Sequence, residues 1–298
     1  MRELVDSAAL LADPEALRGR FAEDGYVFLR GLLDPAVLAD VRGRIAAILA
    51  RHGWVDDTEG TARVTGRPED RADFLLAYRE IQALEQMHRA AHESALTAAA
   101  SALQGEDVFC HPGKFVRVGF PQPFRQIEPN QEYLIAQSTP RMVTSWVPLA
   151  PCPPGSGGLA VLPGSHLEGL RRPDLPVTPE FFFHVADDDP RWTSASYEPG
   201  DVLMFHSLTV NASLPQESGQ ACLAMELRHQ PVSRPLRSGL ALPHMFPKLP
   251  NWSVLTEGWS DRGWVELPLG VRVRTVPRET DFERIEFQLM LETAREGA

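Results

Sequence analysis

Up to about residue 107, apolar side chains recur at helical spacing; from Val108 to about residue 230 they fall into short runs broken by Pro and Gly, the mark of strands. Residues 12 to 25 predict a short helix: Asp13 can cap it, Pro14 suits its first turn, Leu17 and Phe21 share one face, and Gly25 ends it. Tyr26 to Leu29 predicts a short strand. Asp34-Pro35 opens a second helix running to about His52, with Val37, Leu38, Val41, Ile45, Ile48 and Leu49 as its apolar stripe. Residues 53 to 67 are polar and contain Gly, which predicts a loop. Two helices follow, over about 68 to 88 and 90 to 103, with Phe74, Leu75, Tyr78, Ile81 and Leu84 as a buried stripe. Met87, His88 and His92 could reach a pocket mouth, but no carboxylate is paired with either histidine, so core or solvent-facing positions suit them better.

In the strand region, Arg117 shares parity with Phe115 and Gly119. Facing inward it would bind an acidic substrate group; facing outward it would make a surface salt bridge. Pro121 to Pro129 reads as a loop, able to act as a lid, that delivers the chain to Asn130. Asn130 and Glu132 lie two residues apart and so on one face, with Tyr133 to Ser138 continuing the strand. Arg141 to Leu149 predicts a strand carrying Thr144 and Trp146 on one side, and Leu159 to Leu162 another, ended by Pro163-Gly164. Residues 167 to 196 form a long insertion with Phe181, Phe182 and Phe183 as an apolar plug. The Gly200-Asp201 turn then leads into two neighbouring strands. On the second, Gln220, Cys222, Ala224, Glu226 and Arg228 share a face too polar for an ordinary core, which implies a lined cavity. The bland reading of Glu226 and Arg228 is a structural pair. Beyond Arg228 come Pro-broken turns, three tryptophans (Trp252, Trp259, Trp264) that suit a ligand or dimer surface, and a closing helix over 281 to 295. That helix could equally serve a homodimer contact.

Composition narrows the partners. A formal charge of −11 argues against nucleic acid and anionic membrane surfaces, and no apolar run approaches membrane-spanning length. The three cysteines, Cys110, Cys152 and Cys222, match no zinc pattern and no even disulfide framework, which suggests a reducing cytoplasm.

Several stretches then resemble one family. Phe21-Ala22-Glu23-Asp24-Gly25-Tyr26-Val27, Thr144-Ser145-Trp146-Val147-Pro148-Leu149, Gly157 to His166, and Gly200-Asp201 followed by Phe205-His206-Ser207-Leu208-Thr209-Val210 are similar, in order, to segments of the phytanoyl-CoA dioxygenase family. The resemblance spans about residues 15 to 260. It implies a mostly β fold with flanking helices around a double-stranded β-helix, or jelly-roll, cupin-like core: helical support over 1–107, barrel over 108–230 and C-terminal cover over 231–298, all one domain. It also implies iron(II) and 2-oxoglutarate, held by a His-x-Asp pair, a distal His and a later basic residue. In this sequence those positions fall on Asn130-Gln131-Glu132, on Asn211 and, nearest, on Gln220, with no Lys or Arg between Trp192 and Arg228. Amide oxygens are poorer iron(II) ligands than imidazoles, and without the basic residue a keto acid loses its charge-assisted partner.

The expectation drawn from this is a degenerate iron site: no metal, no cofactor, and non-redox acid–base chemistry (cyclisation, isomerisation, elimination or hydrolysis, of the isomerase or lyase kind) on a small-molecule substrate of specialised-metabolite biosynthesis, the class the resemblance implies. Catalytic positions are then Glu132 as base, Asn130 and Asn211 orienting the substrate, and Glu226 assisting. Gln220, Arg228, Arg117, Tyr133, Trp146, Thr144 and His206 line the substrate. Three rivals stand beside it. One is an iron(II)/2-oxoglutarate dioxygenase with rearranged ligands, drawing on His111, His206 or His229. Another is a hard-cation site at Asn130, Glu132 and Asn211. The last is a non-catalytic binder or scaffold.

Overall fold

Two β-sheets face one another, and helices cover the outer side of each. The computed structural model describes residues 1–67, 71–121, 128–173, 185 and 189–294. The larger sheet runs Tyr26–Leu29, Val202–His206, Val143–Pro148, Cys222–Pro231 and Val108–Cys110, with Phe115–Gly119 also paired along Cys222–Pro231. The smaller runs Arg2–Glu3, Thr193–Ser194, Leu159–Val161, Val210–Ser213 and Asn130–Gln131. Neighbouring strands come from distant parts of the chain, as in a double-stranded β-helix. Among the described residues the two sheets do not close into a barrel.

Alternation along each strand divides the core. On Val202–His206, Val202 and Met204 pack outward with the helices, whereas Leu203 and Phe205 point between the sheets. Val27 and Leu29 against Tyr26 and Phe28 divide in the same way. Both faces are covered, so these strands read as continuous apolar runs. Each large side chain buried here contributes roughly 1.5–3 kcal/mol. Outside the larger sheet lie the helices Pro14–Asp24, Pro35–Arg51, Arg71–Gln82, Glu85–Ala90 and Ser94–Gln104. Outside the smaller sheet, the helix Phe282–Ala294 lays Phe282, Ile285 and Leu289 on Leu134, Ala160, Leu162 and Val210.

Three elements differ from the sequence expectation. The stretch over 68 to 88 breaks at Leu84, whose backbone is extended, so Glu85–Ala90 is a helix of its own. Inside the expected loop, Val55–Asp56 and Arg63–Val64 pair as a small antiparallel hairpin. Most consequentially, the strand carrying Asn130 ends at Gln131, and Glu132–Ala136 is helical where a continuing strand was expected. The cause is tertiary: the partner strand begins only at Val210, Tyr133 N donates instead to Ser207 O at 2.9 Å, and Gln137 closes the turn at φ 48°. The tryptophans of the tail pack on the histidines of the helical layer: Trp252 and Trp259 on His88, Trp264 on His92. At these rings the tail packs on the helical layer and is partly buried. The Phe181–Phe183 plug and most of the expected lid, over 122–127, lie outside the described residues. Among the described residues no helix is long and apolar enough to cross a membrane.

One glycine pins the sheets together. Gly25 ends the first helix at φ 75°, and its carbonyl accepts from His206 N and Thr209 Oγ1. A Cβ there would stand 2.4 Å from His166 Nδ1 and 2.6 Å from Thr209 Oγ1. Gly25→Ala is therefore expected to cost roughly 1–3 kcal/mol, from left-handed strain plus overlap. An unchanged thermal midpoint would contradict this.

Candidate active site

Between the sheets, the inner face of the larger one turns from apolar to charged along the strand Cys222–Pro231. Ala224 packs in the inter-sheet cluster with Trp146, Phe205 and Tyr197, whereas Glu226 and Arg228, further along the same face, carry the charge. Register sets their neighbours: Glu226 lies opposite Trp146 on one side and Phe115 on the other, and Arg228 lies opposite Thr144.

The centre is a four-charge chain in which Glu132, Glu226 and Arg228 are buried and Arg117 is half-buried. Arg228 donates from Nε at 2.8 Å and from Nη2 at 2.6 Å to Glu132 Oε2, and its Nη2 lies 3.4 Å from Glu226 Oε1. Arg117 donates from Nε to Glu226 Oε2 at 2.7 Å. Arg228 and Glu132 are each 1% exposed. The Arg228 guanidinium also lies 4.1 Å from the centre of the Phe115 ring, with the His244 ring at 3.9 Å and the Arg117 guanidinium at 5.4 Å from the same ring. Tyr78, whose oxygen accepts from Val116 N and Gln82 Nε2, closes the cluster with a 2.6 Å contact to His244 Nδ1. Two positive and two negative groups balance, which is what permits so much charge indoors.

Burial is the largest influence on both carboxyls and pushes each upward. Glu132 ends above its ordinary range, because burial and the like charge of Glu226 outweigh Arg228. Glu226 ends below it, because Arg117 and Arg228 both hold its charge. His244 is driven well below the usual imidazole value by burial, with Arg117 and Arg228 adding to it, and so is neutral.

The structure brings together some of the sequence-selected residues and separates others. Glu132, Glu226, Arg228 and Arg117 form the charged chain, with Thr144 and Trp146 on the adjoining strand. Asn130 and Asn211 face one another across the smaller sheet, in register with Val161 of the inter-sheet cluster. Their amides bond to backbone: Asn130 Nδ2 to Glu128 O at 3.0 Å, Asn211 Nδ2 to Asn130 O at 3.3 Å. Asn130 Oδ1 and Thr144 Oγ1 are buried without a partner. Tyr133 points to the other side of the smaller sheet, where its hydroxyl donates to Glu292 Oε2 at 3.0 Å. His206 packs against Phe21 and His166. Gln220 is exposed, just before the strand that opens at Cys222. The sequence reading missed Phe115, Tyr78 and His244. Parity with Arg117 pointed to Phe115, but nothing in the sequence joined Tyr78 or His244 to the site.

A metal needs converging donors, and among the described residues no three His, Cys, Asp or Glu side chains converge as a metal site. At the position the resemblance assigns to iron, the one carboxylate, Glu132, is occupied by a guanidinium, and the two amides bond to backbone through their NH2 groups, leaving only amide oxygens, weak ligands for iron(II). As arranged here, this donor set does not fit iron(II).

Two facing sheets of double-stranded β-helix type, helix-covered outside and polar at one inner edge, define a cupin-like enzyme fold. The family comparison agrees: residues 21–221 match the phytanoyl-CoA dioxygenase (PhyH) family, and the chain belongs to it. The 1-deoxypentalenic acid 11-beta-hydroxylase of Streptomyces exfoliatus is 29% identical over 252 residues, covering 78% of this chain and 87% of the hydroxylase. The enzyme of that name from Streptomyces arenae is 28% identical over 253 residues, covering 78% of this chain and 86% of its own. Among solved structures, the epimerase SnoN in complex with Fe3+, alpha ketoglutarate and nogalamycin RO superposes with a TM-score of 0.55 at 20% identity, over 76% of this chain and 86% of that one. The non-heme monooxygenase ThoJ superposes with a TM-score of 0.55 at 16% identity, over 94% and 96%.

These relatives overturn the expectation of a cofactor-independent, non-redox enzyme. Proteins aligned with more than three quarters of the chain are hydroxylases. Replacement of family ligands is therefore no warrant for isomerase or lyase chemistry, and reading the site as a degenerate iron centre that marks such chemistry is withdrawn.

Proposed function

We propose that this protein is a small-molecule hydroxylase of the iron(II)/2-oxoglutarate class, acting on a compact, largely apolar organic acid. The observation that carries the reading is the alignment with the 1-deoxypentalenic acid hydroxylases along most of both chains. It favours iron(II) and 2-oxoglutarate, the rival stated above, over the absence of a cofactor. Tyr26, Phe28, Trp146, Leu203 and Phe205 pack as an apolar core between the sheets beside the charged chain. Asn130 Oδ1 and Thr144 Oγ1 are buried acceptors left for a polar group of the ligand. Because Asn130, Glu132 and Asn211 as arranged do not fit the metal, no step is derived through it.

The test is turnover. Protein reconstituted without oxygen with iron(II) and 2-oxoglutarate, then given oxygen and 1-deoxypentalenic acid or a congener, should form succinate in step with a product one oxygen atom heavier. Absence of substrate-stimulated succinate and of oxygen uptake across such acids sinks the reading.

A second reading, a protein that binds its ligand and returns it unchanged, is favoured by one observation: Arg228 already satisfies Glu132. It requires an acid that binds the protein in equilibrium dialysis and is recovered intact after incubation with iron(II), 2-oxoglutarate and oxygen.

A further inference from the structure

The far end of the site helix meets a group of arginines that the charged chain does not use. Leu236–Arg237 and Val273–Arg274 pair as parallel strands, with Arg237 in register with Arg274. The last turn of Glu132–Ala136 points its carbonyls at them. Arg237 Nε donates to Ala136 O at 2.7 Å, Arg274 Nη2 to Gln137 O at 3.0 Å, and Arg278 Nη2 lies 3.5 Å from Leu134 O. Two neighbouring guanidiniums have carboxylates of their own: Arg274 pairs with Glu292 at 2.9 Å, and Arg228 with Glu132 and Glu226.

Arg237 has none. Its residue is 8% exposed, and its Nε is spent on Ala136 O. Among the described residues its two Nη atoms make no hydrogen bond and no ion pair, yet they are not among the fully sealed polar atoms. Burial, reinforced by Arg278, Arg228 and Arg274, lowers its pKa to about 10. A cation held indoors with only a carbonyl for company is costly, and it is stabilised by whatever anion arrives. The flank is open because residue 239 has no side chain: a Cβ on Gly239 would lie 2.7 Å from Arg237 Nη1 and 3.6 Å from Nη2.

We propose that Arg237 is a carboxylate-binding residue, presenting its free Nη pair as a fork to the acid group of a small organic ligand at the edge of the active site. A planar fork matches a carboxylate in two parallel hydrogen bonds, the strong form of that contact. The inference rests on Arg237 and its surroundings and holds for a hydroxylase and for a binder alike. Two acids supply the same chemistry, a keto diacid co-substrate and the substrate acid itself, and the experiment separates them.

Calorimetric titration of the full chain with 2-oxoglutarate, with 1-deoxypentalenic acid and with the methyl ester of the latter is done on the parent, Arg237→Gln, Arg237→Lys and Gly239→Ala. At least one free acid should bind the parent and lose tenfold or more in affinity in Arg237→Gln, about 1.4 kcal/mol. Arg237→Lys, which keeps the charge but not the fork, should lie between. Gly239→Ala keeps the guanidinium charge but sets a methyl against its Nη1 and so blocks or displaces the fork, and it should weaken the same acid even if Arg237→Gln folds poorly. Weakening of 2-oxoglutarate alone assigns the co-substrate. Weakening of 1-deoxypentalenic acid, with the ester binding poorly to the parent, assigns the substrate. Equal affinity of both acids for the parent and Gly239→Ala, or no binding of either acid to the parent, overturns the proposal.

Discussion

Arg228→Met should destabilise the protein by about 3–5 kcal/mol, because it strips the shared partner from two buried carboxylates. Glu132 would lose both of its hydrogen bonds to Arg228, and Glu226 would keep only Arg117. For a chain of this size that loss corresponds to a fall of roughly 6–15 °C in thermal midpoint. The matching variant Arg228→Met with Glu132→Gln should recover a large part of it, since the uncompensated charge goes with its partner and not only the contact. Denaturant unfolding of the parent, the two single variants and the double variant forms a cycle from which the coupling is read. A single variant as stable as the parent, or a double variant no better than Arg228→Met, would show that the charges are not held as a unit.

Acidification should unfold the protein well above the range in which carboxylates titrate. Seven of the chain's nine histidines, His88, His92, His111, His166, His206, His229 and His244, are pushed below the ordinary imidazole value, in each case chiefly by burial. His92 lies at about 4, with Lys114 assisting burial, and His206 and His229 at about 3. The unfolded chain takes up protons at these rings near pH 6.5, whereas burial in the fold delays their protonation to lower pH. Stability is therefore full above about pH 7 and falls as pH drops from there towards 4, by roughly 1 kcal/mol per ring per pH unit below 6.5. Several such rings together approach the whole stability of an ordinary domain. Glu132 works the other way, since its raised pKa means that protonation as pH falls relieves the fold, but it is one group against seven. Urea midpoints measured from pH 7.5 to 5.5 should fall steeply, with on the order of five protons taken up on unfolding at the lower pH. A flat profile over that interval would refute the assignment of these rings as neutral and buried.

Several of these features could be read from the residues in order. Asp13-Pro14 and Asp34-Pro35 mark helix starts by chemistry that is local, a capping carboxylate followed by a ring that lacks the amide hydrogen, and both helices begin at that proline. Parity along 220 to 228 put Glu226 and Arg228 on one face, which they share, but it could not show that the strand opens only at Cys222 and leaves Gln220 outside. Glu132 was picked out two residues from Asn130, yet the helix it opens was not visible. The same residues would extend as a strand if the partner continued, and the partner is about eighty positions away.

By itself the sequence determined which residues are paired by short-range rules: helix caps, the two-residue alternation of the inner strands, and the family to which the chain belongs. Only the tertiary structure decided which charges meet. Arg228 finds Glu132 across 96 positions, Arg117 finds Glu226 across 109, and Arg237 has no carboxylate partner among the described residues although Glu292 lies near enough to serve Arg274. Local backbone preferences act over a few residues, whereas the energy of a buried ion pair depends on the distance between two side chains and on the water removed around them. Neither quantity exists until the sheets have come together.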